Sequence, residues 1–220
     1  MDYHFLSKTP LFCGSTEEDI RSILSCLGAA EKHYEKGSTI YHAGEPAKAI
    51  GLVLSGRVQI ENDDCWGNKN LLDSVEEGMI FAETYACLPK EPLQVSVTAA
   101  ENSDILFLNA ARVLQTCSGA CEHHTRLIRN LLAVLAQKNL ILSRKILHTS
   151  SKSIRGRLLS YLSFQAATRG SYEFTIPFNR QQLADYLGVD RSALSHEIGK
   201  MHKDGLLEAD RNHFILRGRP

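Results

Sequence analysis

Residues 179–207 read Asn-Arg-Gln-Gln-Leu-Ala-Asp-Tyr-Leu-Gly-Val-Asp-Arg-Ser-Ala-Leu-Ser-His-Glu-Ile-Gly-Lys-Met-His-Lys-Asp-Gly-Leu-Leu. Asn179 is a helix N-cap, Leu183, Ala184 and Leu187 fall on one face behind it, and Gly188 supplies the left-handed turn that ends the first helix. Asp190 caps a second helix whose inward positions are Leu194, Ile198 and Met201. Two helices cross closely only where the contact residue is small, and Ala184 stands four residues before the glycine. The pattern is a helix-turn-helix. Its second helix leaves Arg191, Ser192, Ser195, His196 and Lys200 on an outward face near its N-terminus, where such helices meet base edges in a major groove. Arg180 and Gln181 at the start of the first helix are placed to touch phosphates, as are Lys152, Lys203 and Arg211.

Downstream, Leu206–Ala209 and His213–Leu216 flank Asp210-Arg211-Asn212 and read as a two-stranded wing. Upstream, Tyr172–Ile176 alternates as a strand stopped by Pro177, Ile154, Leu158, Leu159 and Leu162 mark a helix ending before Gly170, and Ser150-Ser151-Lys152-Ser153 has the polar character of a hinge.

Before this hinge a helical pattern runs from about Ala111 to Leu147, with a break near Ser118-Gly119. One row, Ile128, Leu132, Leu135, Asn139, Leu142 and Ile146, alternates steps of four and three like a coiled-coil seam with one polar member. A second row, Leu127, Leu131, Val134 and Ile141, lies beside it. The helix therefore has apolar surface for its own domain and for a partner helix, so a homodimer through Ile128, Leu132, Leu135, Asn139 and Leu142 is expected; a core helix of one large domain is the competing reading. Between Glu31 and Asn109 short β-branched runs alternate with glycines (Ser38–Tyr41, Ile50–Leu54, Val58–Ile60, Leu71–Val75, Val95–Ala99 and Ile105–Leu108), as in a small antiparallel barrel or roll. Ahead of it a helix through Ile20, Ile23, Leu24 and Leu27 starts behind Ser15 as cap, with Glu18 completing a capping box.

The chain has 25 basic and 25 acidic residues, but the balance is uneven: residues 150–220 hold 11 basic against 7 acidic and residues 1–149 hold 14 against 18. A basic C-terminal unit fits a polyanionic partner. No apolar run is long enough to cross a bilayer, Met1-Asp2-Tyr3-His4-Phe5 lacks the features of a secretory signal, and six scattered cysteines do not form a disulfide scaffold, so a cytoplasmic, membrane-free protein is expected. The serine-hydrolase, phosphate-loop and zinc-protease motifs are absent, and no enzyme is expected.

With these elements in order, the chain resembles the Crp/Fnr family of bacterial transcription regulators. The resemblance rests on Tyr34-Glu35-Lys36-Gly37, Gly44-Glu45, Val53-Leu54-Ser55-Gly56 and Gly78-Met79-Ile80-Phe81-Ala82-Glu83, which match the glycine pattern of that family's cyclic-nucleotide-type roll, as well as on the long helix and the helix-turn-helix. It implies an α+β protein: a double-stranded β-helix (jelly-roll) sensor domain over 1–110, a dimerisation helix over 111–148 and a winged helix-turn-helix domain over 149–220. It further implies a homodimer on a palindromic site in double-stranded DNA, a small-molecule effector, and RNA polymerase as a further partner open to such a regulator.

The departures bear on the effector. Members that bind cyclic nucleotides have a Phe-Gly-Glu glycine and a following Arg-Ser pair that holds the phosphate; Ala82 replaces the glycine here, and Leu93-Gln94 stand at the Arg-Ser positions. A buried phosphate without arginine would lie unpaired, which argues against cyclic AMP; Lys90 could replace the arginine only if its loop folded back. A pocket of Phe81, Ala82, Glu83, Tyr85, Leu93 and Val95 suits a small organic ligand of unknown identity, with Glu83 either orienting it or serving the loop's own hydrogen bonds. Cys13 and Cys26 are too few for the family's iron-sulfur cluster. Cys117, Cys121, His123 and His124 have a spacing compatible with a metal or thiol switch, though structural packing is the preferred reading and no metal is assigned. In the second helix His196 stands where guanine-reading relatives have arginine, so Arg191 carries more of the expected readout. Two other readings stay open: a ligand-binding module acting on a protein partner, and a redox or metal sensor on the same scaffold.

Overall fold

In the computed structural model the described residues are 1–63, 69–115 and 122–217. They divide into two compact units, Met1–Leu135 and Ala136–Pro220.

The first unit opens with α1 (Tyr3–Lys8) and α2 (Glu17–Leu27), joined through a short turn at Pro10–Phe12. The cap of α2 lies one residue later than expected: the Thr16 side chain accepts from the Asp19 amide, and Asp19 returns the contact to the Thr16 amide at 3.0 Å, in place of Ser15 and Glu18. The Thr16 amide, and after it the Thr16 side chain, hold the Asp19 carboxyl below its usual range, with His123 and Arg126 nearby adding to the effect.

Eight strands follow: β1 (Ala30–Tyr34), β2 (Thr39–Tyr41), β3 (Ala49–Ser55), β4 (Arg57–Asp63), β5 (Lys69–Glu76), β6 (Ile80–Phe81), β7 (Ser96–Ala99) and β8 (Ser103–Asn109), with α3 (Glu83–Ala86) between β6 and β7 and α4 (Ala110–Leu114) after β8. They form two antiparallel four-stranded sheets, ordered β1-β8-β3-β6 and β2-β7-β4-β5. All six expected strands are present. β1 and β6 are additions, β1 because Ala-Glu-Lys-His-Tyr carries an exposed polar face that hides it from an apolar reading, and β6 because two residues make no pattern. The roll interior is one apolar cluster that includes Ile50, Leu52, Val58, Phe81, Val97, Ile105 and Leu108 together with the inner faces of α1 and α2. Gly51 in β3 lies directly beneath the Phe81 ring: a Cβ there would fall 2.2 Å from Phe81 Cζ.

The helical pattern expected from Ala111 to Leu147 is two helices, α4 and α5 (Glu122–Thr149); the position of the expected break, Ser118-Gly119, lies outside the described residues. In α5 the second apolar row turns inward only over its first three members, and Ile141 is 51% exposed. Leu127 and Leu131 are buried in the first unit's core and Val134 packs against it. The seam faces outward over most of its length: Leu132 is 61% exposed, Leu142 60% and Ile146 67%. Leu135 departs from the seam and packs on the first unit's core, because it follows Leu131 by one helical turn and shares its side. Asn139 is exposed and accepts from Ser143 Oγ at 3.3 Å, a bond within its own helix.

The second unit holds the C-terminal part of α5, then α6 (Ile154–Arg169), β9 (Glu173–Thr175), α7 (Arg180–Leu187), α8 (Arg191–Lys203), β10 (Leu207–Asp210) and β11 (His213–Leu216). The wing is a three-stranded sheet, β10-β11-β9. The residues expected to hinge form a hydrogen-bonded corner between α5 and α6. Ser153 Oγ caps α6 by accepting from the Gly156 amide at 3.0 Å, the Ser151 carbonyl accepts from Arg157 Nε at 2.8 Å, and the Ser150 hydroxyl donates to the Leu147 carbonyl at 2.9 Å.

Replacing Gly51 by alanine drives a methyl into a ring that the surrounding core holds in place. Gly51→Ala is therefore expected to lower stability by about 1–3 kcal/mol, read as a lower urea midpoint at unchanged slope.

Candidate nucleic-acid interface

The helix-turn-helix forms as its capping residues dictate. Asn179 Oδ1 accepts from the Gln182 amide at 2.9 Å, Gln182 Oε1 accepts from the Asn179 amide at 2.8 Å, and Gly188 closes α7 at φ 63°. Asp190 Oδ1 accepts from the Ala193 amide at 2.9 Å to start α8. The Ser192 hydroxyl and this amide hold the Asp190 carboxyl below the usual carboxylate range. Leu183, Ala184, Leu187, Leu194 and Met201 are fully buried and Ile198 nearly so, sharing one core with Leu158, Leu162 and Phe214.

That burial turns the other side of α8 outward. Arg191, Ser192, Ser195, His196 and Lys200 are all exposed. Ser192 is partly committed, since its hydroxyl donates to Asp190 Oδ1 and leaves only acceptor capacity for a ligand. Gln181 is exposed too and donates to Asp185 Oδ1 at 2.8 Å. Arg180 is half-buried with its guanidinium 5.0 Å from the centre of the Phe214 ring, so its stem and plane serve packing as well as charge. Its guanidinium nonetheless lines an open cleft of about 630 Å³ with Gln181, Gln182, Arg191, Arg211 and Asn212. Arg211 enters it from the wing, where it takes a left-handed φ of 51° between β10 and β11. Three arginines from α7, α8 and the wing thus converge on one concave, cationic surface, which suits a phosphate backbone beside a base-reading helix.

Two arginines outside that surface hold it in place. Arg155 Nε donates to Glu197 Oε1 at 2.6 Å and Arg155 Nη2 pairs with Asp204 Oδ2 at 2.8 Å, so α6 grips α8 at its middle and its end. Arg157 donates to the Leu187 and Gly188 carbonyls at 2.9 and 3.0 Å and to the Ser151 carbonyl, tying the turn of the motif to the corner before α6. Neither carries a signal in the sequence, because their partners on α7, α8 and the turn between them lie roughly 30 to 50 residues away.

In the first unit, Ala82 takes a left-handed φ of 59° at the start of α3, with Glu83 buried behind it. Phe81 and Leu93 belong to the packed interior: Phe81 is fully buried edge-on to Tyr41 at 6.4 Å, and Leu93 is 2% exposed. Burial pushes the Tyr41 hydroxyl up to about 12, a further sign of how closed this interior is. Tyr85 and Val95 pack against the same core from its edge. Gln94 is exposed, and the Leu93 backbone is already paired, its amide to the Glu45 carbonyl at 2.9 Å and its carbonyl to the Gly44 amide at 2.7 Å. Cys117 and Cys121 lie outside the described residues. Of the histidines beside them, His123 Nδ1 stands 3.2 Å from Asp19 Oδ1, and His124 Nε2 bonds the Val113 carbonyl at 2.8 Å.

Comparison with known proteins follows the same division. Residues 31–119 match the model of the cyclic nucleotide-binding domain, and residues 156–219 match that of the Crp-like helix-turn-helix domain. The chain belongs to the Crp/Fnr family of transcription regulators. Among Crp/Fnr proteins it is 23% identical over 210 residues to the cyclic AMP receptor protein of Thermus thermophilus, covering 90% of this chain and 88% of that one. It is 22% identical to electron transport regulator A of Shewanella oneidensis, over 84% of this chain and 74% of that protein. The fold matches the crystal structure of the Thermus thermophilus catabolite activator protein with a TM-score of 0.51 at 22% identity, over 95% of this chain and 94% of that one. This Crp/Fnr regulator accordingly combines a sensor domain with a helix-turn-helix domain. The backbone at Ala82 keeps the left-handed turn for which the family's glycine is suited, at the strain an L-residue pays there.

Arg157 makes three hydrogen bonds that a methionine of similar length cannot. Arg157→Met is expected to destabilise the C-terminal unit by about 2 kcal/mol, measured by urea unfolding followed by far-ultraviolet circular dichroism.

Proposed function

We propose that the protein is a homodimeric regulator that reads a palindromic operator in double-stranded DNA and answers to a small-molecule effector other than cyclic AMP. The observation that carries the DNA reading is the single face of α8: Arg191, Ser195, His196 and Lys200 are exposed while Leu194, Ile198 and Met201 close the opposite face. In this reading Arg191 leads base recognition, Ser192, Ser195, His196 and Lys200 share the groove, and Arg180, Gln181 and Arg211 meet the flanking phosphates. His196 offers at most one bond per ring edge in place of an arginine fork, so the preferred base at that place differs from guanine.

The exposed row on α5 supports the dimer. Leu132, Leu142 and Ile146, with Ile141 from the end of the other row, leave a strip of apolar surface along the helix, and a second copy of the same helix covers it in register. Ile128 and Asn139 lie on the same row. The sensor domain is assigned to residues 1–110 and the DNA-reading domain to 149–220, with the helix between them. Against a cyclic nucleotide stands the pair Leu93-Gln94, one residue in the core and the other uncharged, where a phosphate would need a cation. The effector's remaining chemistry follows from the apolar edge formed by Tyr85 and Val95 beside Ala82 and Glu83, which favours an organic ligand over a phosphorylated one. Among the described residues no helix is long and apolar enough to cross a membrane, in keeping with action in the cytoplasm beside DNA and RNA polymerase. A non-enzymatic role accompanies this reading.

A duplex selected by the protein from a random-sequence pool tests it. Arg191→Ala is expected to weaken that duplex by roughly 10- to 100-fold, the equivalent of one lost fork to guanine, with an unchanged circular dichroism spectrum. Affinity of the parent should fall steeply with salt; equal affinity in variant and parent would remove Arg191 from the interface, and no salt-dependent binding would favour a protein partner. For the dimer, Leu132→Asp with Leu142→Asp should give a folded monomer by light scattering, where the parent gives twice the mass.

A further inference from the structure

His148, in the last turn of α5, is 1% exposed and sits among the rings of the C-terminal unit. Its ring centre lies 5.6 Å from Tyr161 and 5.3 Å from Phe164, both on α6, and 6.1 Å from Tyr186 on α7. Nδ1 meets Ser160 Oγ at 3.2 Å, whereas Nε2 is buried with no hydrogen-bond partner, as is the Tyr161 hydroxyl. The charged and titratable groups that face the imidazole are Arg144, one turn earlier on its own helix with its guanidinium 5.2 Å from the Phe164 ring centre, Tyr161 on α6 and Tyr186 on α7. Among the described residues no carboxylate acts on it.

A neutral imidazole tolerates this setting. If Nδ1–H donates to Ser160, Nε2 is left as a bare acceptor among rings, the smaller of the two possible penalties. A proton on Nε2 would add a buried N–H and a positive charge with no acceptor, beside an existing guanidinium. We propose that His148 is a proton-sensitive latch: neutral, it docks the last turn of α5 on the helices that carry the DNA-reading surface, and protonated, it undocks that turn. The corner at Ser150–Ser153 is itself tied down through Arg157 and Ser153, so the latch orients the reading surface relative to α5. That last consequence rests on the DNA reading above; the latch itself does not.

The sign is set by burial, which lowers the proton affinity of His148 below its usual value of 6.5, with Arg144 contributing in the same direction. The folded chain therefore prefers the neutral ring. The docking contribution is complete above pH 6.5 and declines as pH falls through it toward the folded value, below which no further loss occurs.

Hydrogen exchange on the full chain at pH 7.5 and 5.5, corrected for the intrinsic chemical rate, reads the latch in peptides spanning 144–151. Protection in the parent is expected to fall severalfold at pH 5.5 relative to pH 7.5, as proton uptake favoured by the undocked ring requires, while His148→Phe shows no such fall. An equal fall in both proteins, or none in the parent, overturns the latch. Should the phenylalanine variant not fold, His148→Gln, which does not titrate, takes its place. In the parent, the His148 imidazole should titrate below 6.5 by nuclear magnetic resonance; a value above 6.5, with the rings stabilising the cation, also overturns it. Affinity for the selected duplex should drop several-fold more between pH 7.5 and 5.5 in the parent than in the variant, a comparison in which His196 is common to both. If no duplex binds at pH 7.5 the DNA reading fails, and the exchange result still decides the latch.

Discussion

Leu127 and Leu131 are buried in the core of the first unit, and this contact sets the rotation of α5 about its own axis. Polar bonds reinforce it: Asn130 Nδ2 donates to the Leu11 and Cys13 carbonyls at 3.0 and 2.9 Å, and Arg126 reaches the Gly14 carbonyl at 2.6 Å. Successive residues on an α-helix point about 100° apart, so once Leu131 faces in, Leu132 faces out. The outward row then continues through Leu142 and Ile146, which the described residues leave exposed. A helix with one buried row would need no partner. This one has a second, and the dimer reading depends on the first row being satisfied within the chain.

The C-terminal unit separates reading from holding. The outward side chains of α8 make few internal bonds, whereas the arginines that fix the helix-turn-helix are half-buried behind it. Arg155 bridges to Glu197 and Asp204, and Arg157 takes up the carbonyls of the turn. A reading helix held at its start, middle and end presents its outward face with little loss of freedom on binding, so more of each base contact is realised as affinity. The aromatic cluster around His148 extends the same support to the end of α5. Tyr161, held up to about 12 by burial, stacks on Phe178, which in turn meets Tyr186 at 5.1 Å.

How much was legible in the sequence follows the range of the interactions. The helix-turn-helix was readable residue by residue, since Asn179, Ala184, Gly188 and Asp190 act on neighbours within one turn. The start of α2 was misread by one residue for an instructive reason. Ser15 with Glu18 and Thr16 with Asp19 are equally good capping boxes by local chemistry, and Asp19 also meets Arg126 and His123, more than a hundred residues away in the chain. Similarly, Ser150–Ser153 has the composition of a flexible joint, and only the placement of Arg157 and Gly156 turns it into a corner; a Cβ on Gly156 would lie 2.1 Å from Ser151 Oγ. Phe81 and Leu93 were read as lining a pocket and are buried in the roll interior, because apolarity does not distinguish a pocket lining from a core.

What the sequence by itself determined was therefore the list of elements, the family, and which face of α8 turns outward, all of which depend on capping, periodicity and glycine placement over short spans. The tertiary structure decided which of the two apolar rows on α5 turns inward, that Phe81 and Leu93 are core, and that His148 is buried among rings with one nitrogen unpaired. Each of these is a question of which surfaces meet. Periodicity specifies that a helix has an apolar row but not what the row packs against, and a histidine's burial is set by side chains that other helices bring to it.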